Sequence, residues 1–105
     1  MKRVGFQFRI NPEKIEAYKQ LHKHVWPEML AALRDSGWHN YSLFMREDGL
    51  VFGYFETEQN LSAAQSNMAV KEVNTRWQEF MSPFTAGADR PDDNFIELEE
   101  YFHLD

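Results

Sequence analysis

Near its start the chain changes hydrophobic period once and abruptly, from two to that of a helix, and this switch constrains the fold more than any other feature. In RVGFQFRI, residues 3 to 10, Val4, Phe6, Phe8 and Ile10 fall on one face and Arg3, Gly5, Gln7 and Arg9 on the other. That is a half-buried strand. Asn11 and Pro12 then offer a helix start: a capping amide, followed by a residue whose missing N–H costs nothing in the first turn. Ile15, Tyr18, Val25, Met29 and Leu33 recur at helical steps, and Gly37 stands where a C-terminal cap belongs. The spacing predicts a helix from about Pro12 to Ser36. His22 falls on its apolar stripe, one turn after Tyr18, and points inward. Pro27 interrupts this helix, because it cannot bond the Lys23 carbonyl and it pushes Trp26 away from helical angles. A plain core helix needs neither an inward imidazole nor a break one turn beyond it.

Residues 39–46 and 50–57 read as two further strands, joined through Glu47, Asp48 and Gly49 with the favoured Asp-Gly pair at the turn. From Leu61 to Phe84 the helical pattern returns, with Leu61, Ala64, Met68, Val73, Trp77, Phe80 and Met81 on one face. Asn67 and Lys71–Glu72 mark places where it can divide into two short helices. A polar loop over residues 85–94 leads to a last strand at about residues 95–104. The order β-α-β-β-α-β, with right-handed crossovers, predicts an α+β ferredoxin-like domain spanning residues 1–105, its helices on one face of a four-stranded antiparallel sheet. The other sheet face is left bare, occupied by Tyr41, Leu43 and Met45 or by their neighbours of opposite parity. Either it lines a ligand site or a second copy of the chain covers it.

Composition narrows the partners. A length of 105 residues fits one domain, and a 15% aromatic content suits a ligand cavity or a subunit interface as well as it suits a core. The net charge of −6 provides no basic stripe for nucleic acid. No cysteine is present for a disulfide or a thiolate site, and no segment reads as a membrane span. A soluble cytoplasmic protein is the expectation.

Four histidines raise the question of a metal. His22 and His24 are two apart on a helix and face nearly opposite ways, so they cannot chelate together, and no metal site is expected. His24, His39 and His103 suit a solvated helix face, a strand start and a terminus. Tyr41 begins a strand, where its hydroxyl can enter the cleft or simply pack across strands. Trp77 suits the core or the apolar face of a sugar ring, with Trp26 and Trp38 near the break and the cap. The Glu97–Glu100 run reads as a solvated edge. The available chemistry is His plus Tyr, general acid–base work on a small polar molecule.

The segments YKQLHKHVWPEM, GWHNYSLF, EVNTRWQEFM and EEYFHLD, in this order and spacing, resemble the L-rhamnose mutarotase family along the whole chain. The resemblance implies a cofactor-free homodimer of ferredoxin-like protomers, a dimeric α+β barrel that interconverts the α and β anomers of L-rhamnopyranose. By position, His22 is similar to the family's proton donor, and Tyr18 and Tyr41 to its sugar-contacting tyrosines. Family members often carry adjacent tryptophans on the second long helix. Here the pair is Trp77-Gln78, an amide in place of the second stacking surface. A related branch acts on L-fucose. A haem-handling or oxygenase domain of the same fold, and a non-catalytic binding module, are the competing readings.

Overall fold

The computed structural model describes residues 1–85 and 91–105; residues 86–90 of the expected polar loop lie outside the described residues. The first strand, β1 (Lys2–Arg9), buries Val4, Phe6 and Phe8 on its inward face, and Ile10 just beyond it is buried too. A short 3-10 turn (Pro12–Lys14) follows, capped by the Asn11 side chain, which accepts from the Glu13 N–H at 3.0 Å. The expected long helix is two helices, α1 (Ile15–His22) and α2 (Pro27–Asp35). The break begins four residues before Pro27, a correction to its expected position. The chain tightens after His22, with the Lys23 and His24 amides donating to the Gln20 and Leu21 carbonyls. Trp26 is extended (φ −57°, ψ 134°), as a residue before proline prefers. Pro27 therefore opens α2 at its first turn, where no helical bond is lost.

Gly37, at φ +95°, closes α2. Its amide and that of Trp38 return to the Arg34 and Leu33 carbonyls, a left-handed turn that a side chain would strain. Strands β2 (His39–Met45) and β3 (Leu50–Thr57) form the expected hairpin, with the Gly49 amide on the Arg46 carbonyl at 3.0 Å. Asn40 sits at φ +50° where the β2–β3 register shifts between His39 and Ser42. The second helical stretch also divides, into α3 (Leu61–Ala69) and α4 (Glu72–Met81), parted at residues 70–71, while Asn67 stays within α3. A 3-10 turn (Ser82–Phe84) extends α4, and another (Pro91–Asn94) precedes β4 (Ile96–Leu98).

The sheet order is β2-β3-β1-β4, every pairing antiparallel, which is the ferredoxin-like arrangement. The last strand is shorter than expected. Only Ile96 to Leu98 pair with β1, and Tyr101, Phe102 and Leu104 beyond it are exposed. The inward sheet face meets the helices in a core of Phe6, Phe55, Val51, Met29, Met68 and Met81. Gly53 is required there, since a Cβ at that position would meet the ring of Phe6 lying across it. Tyr41, Leu43 and Met45 point to the helix side and pack on the core. The bare face carries the opposite parity: Phe44, Phe52, Ile96 and Leu98. No helix among the described residues is long and apolar enough to cross a membrane.

Candidate active site

A cavity of about 280 Å³ opens between the sheet and the helices, on the side away from the bare face. The sheet contributes Phe8, Tyr41 and Leu43; α1 contributes Tyr18 and His22; α4 contributes Asn74, Trp77 and Gln78. The five residues singled out from the sequence, Tyr18, His22, Tyr41, Trp77 and Gln78, thus meet around one space. The helix break is what exposes His22 to it. As the last residue of α1, its ring is free of a following helical turn and lies 4.3 Å from the Tyr18 ring, centre to centre.

The imidazole is oriented by two contacts. Nδ1 lies 2.9 Å from the Tyr18 carbonyl oxygen, and the edge of Trp77 meets the ring at 5.5 Å. A carbonyl can only accept, so Nδ1 carries the proton and, in the neutral ring, Nε2 keeps its lone pair. Burial lowers the pKa of His22 below its ordinary 6.5, the Tyr18 hydrogen bond opposing only in part. Burial raises both Tyr18 and Tyr41 above their ordinary 10.0. Neither hydroxyl has a hydrogen-bond partner among the described residues. At neutral pH the cavity therefore presents a neutral imidazole as a base and two protonated phenols as acids.

Trp77 is 6% exposed and held from behind by Trp26, whose ring stands edge-on at 5.0 Å. Trp26 thus supports the cavity wall from outside. Trp38 also lines the cavity, but its ring stacks on Phe55 at 4.0 Å and its N–H donates to the Ala64 carbonyl at 3.2 Å. Gln78 is buried; its Nε2 donates to Asn74 Oδ1 at 3.1 Å, and its Oε1 accepts from the Asp92 N–H at 3.3 Å. The amide is a tether between α4 and the 91–94 turn. Gln65 adds a second tie, donating to the Asp92 carbonyl at 2.8 Å. Sequence reasoning missed Asn74, Gln65 and Asp92. The signal for Asn74 was present: Asn74, Trp77, Gln78 and Met81 are the buried positions of α4, spaced as one stripe, and two of them are amides. His24 is exposed, and His103 bonds Asp105 at the surface, both apart from the cavity.

Fold and cavity together define a ferredoxin-like α+β protein with a small, mostly apolar pocket equipped for acid–base chemistry. Residues 3–104 match the family described as L-rhamnose mutarotase. The chain is 39% identical to an L-rhamnose mutarotase of Oceanobacillus iheyensis and 38% identical to one of Bacillus subtilis, covering 100% of both partners in each comparison. The crystal structure of an L-rhamnose mutarotase from Formosa agariphila superposes with a TM-score of 0.80 at 27% identity, again over 100% of each chain. The chain belongs to the L-rhamnose mutarotase family.

Proposed function

We propose that the chain interconverts the α and β anomers of L-rhamnopyranose, with His22 as the catalytic group and Tyr18, Tyr41, Trp77 and Gln78 around the sugar. The observation that carries this reading is the His22 hydrogen bond to the Tyr18 carbonyl, which leaves a basic Nε2 in a cavity that also holds two protonated phenols. In the forward direction Nε2 takes the proton of the anomeric hydroxyl while a phenol gives a proton to the ring oxygen. The C1–O5 bond breaks and the open aldehyde forms. Rotation about C1–C2 presents the other carbonyl face. The O5 hydroxyl then attacks C1, returning its proton to the phenolate, and the imidazolium donates to the new anomeric oxygen. Each step balances without an external reactant, and His22 serves as base and then as proton donor.

The cavity, about 280 Å³, lies just below the range of roughly 300–1,000 Å³ that houses drug-sized ligands, which suits one pyranose and not a haem. Saturation transfer between the two anomeric protons of L-rhamnose tests the reading. Exchange faster than in buffer, and faster than for L-fucose, is expected.

We also propose that a second copy covers the bare sheet face. Phe44 and Ile96 there are 60% and 58% exposed, a large apolar surface for one small chain to leave in water. A cytoplasmic setting accords with the cysteine-free composition.

A further inference from the structure

One stripe of α4 buries two carboxamides where the helix meets the cavity. Their hydrogen bonds run in one direction. A backbone N–H can only donate, so the Gln78 atom facing the Asp92 amide at 3.3 Å is Oε1. Gln78 Nε2 therefore faces Asn74, and the Asn74 atom that receives it at 3.1 Å is Oδ1. Asn74 Nδ2 is left over. It is buried and has no hydrogen-bond partner among the described residues, although Asn74 is only 2% exposed. A buried donor without an acceptor is uncommon in a folded protein and points to a partner that arrives from outside.

We propose that Asn74 is a sugar-binding residue that sets specificity, its Nδ2 donating to a ring hydroxyl oxygen away from the anomeric centre. The assignment rests on the mutarotase reading above. Asn74 and the catalytic groups line the same cavity, so a bound pyranose spans both. His22 and the phenols serve the anomeric carbon and ring oxygen, which leaves the 2-, 3- and 4-hydroxyls to be recognised. A donor fixed in an apolar wall rejects a sugar that lacks its acceptor more strongly than shape alone can. Gln78 is then a positioning residue. Both of its described hydrogen bonds go to protein groups, and they fix which way the Asn74 amide faces.

The test is a set of dissociation constants, from tryptophan fluorescence, for L-rhamnose and its 2-, 3- and 4-deoxy analogues, with wild type and Asn74→Ala. One analogue is expected to bind wild type about tenfold more weakly, the worth of one hydrogen bond, and that penalty should vanish in Asn74→Ala while the others persist. The Asn74 side-chain amide pair in a ¹⁵N spectrum of wild type should shift with L-rhamnose and not with that analogue, a readout that needs no folded variant. Penalties that simply add for every analogue, or an amide pair unmoved by saturating L-rhamnose, would overturn the assignment. Wild type that neither binds L-rhamnose nor accelerates its exchange would instead sink the mutarotase reading beneath it.

Discussion

The proton on His22 sits on Nδ1 because the Tyr18 carbonyl opposite it can only accept. Burial then works on the whole ring, lowering its pKa below 6.5 and keeping it neutral where an exposed histidine would be partly charged. In the mechanism proposed above, the base is therefore present at neutral pH and is lost only as pH falls through the lowered value. The phenols stay protonated to beyond pH 10 because burial raises them both. Once the buffer and hydroxide background is subtracted, exchange is expected to show a single acid limb with its midpoint below pH 6.5 and a plateau past pH 10. An alkaline limb near pH 8 would contradict this. Stability carries the same sign. The unfolded chain protonates His22 first, so stability should decline as pH falls from 6.5 through the folded value and change little above it. At this scale the sequence was informative where spacing alone decides a contact: one helical turn between Tyr18 and His22 brings their rings to 4.3 Å. Spacing also carried a signal for Asn74, three residues before Trp77 and four before Gln78, but only the three-dimensional register shows that the two amides turn towards a cavity.

The break ends α1 at His22, and the two helices are joined through an extended Trp26 whose conformation the following proline favours. Pro27 was legible as a breaker. Its position in the break was not, since a proline that interrupts a helix and one that starts the next look alike in sequence. The two positions of a proline also differ in energetic consequence. In a continuing helix, Pro27→Ala would restore a hydrogen bond and stabilise. At the first turn of α2 nothing is restored, and the unfolded chain gains freedom, so the variant should lose about 0.4–1 kcal/mol. Urea unfolding measures this directly, and a gain in stability would show that the helix does run through. Strand β4 was overestimated for a related reason. Residues 99–105 hold Tyr101, Phe102 and Leu104, but backbone pairing with β1 stops after Leu98, and Glu100 meets Arg3 of β1 only through its side chain at 2.8 Å.

Taken whole, the molecule was readable because each local signal agreed with the same β-α-β-β-α-β order, from the strand period of residues 3–10 to the Asp-Gly hairpin. The bare sheet face was foreseen but its parity was left open. Phe44, and not Tyr41, Leu43 or Met45, faces outward because those three are needed by the core and the cavity. Cavity and bare face are thus separate surfaces, one suited to the sugar and one to a second copy. Light scattering should give a mass near twice 12.5 kDa at micromolar concentration; a stable monomer would leave Phe44 and Ile96 unexplained. The central claim, that this fold brings His22 to a sugar as a proton-transfer group, is tested most directly by saturation transfer on L-rhamnose with wild type and His22→Ala, with thermal melts on the same samples. The account predicts a variant that stays folded and binds the sugar while its exchange rate falls by roughly 10²–10⁴-fold. A folded, sugar-binding His22→Ala that exchanges anomers at the wild-type rate would contradict it.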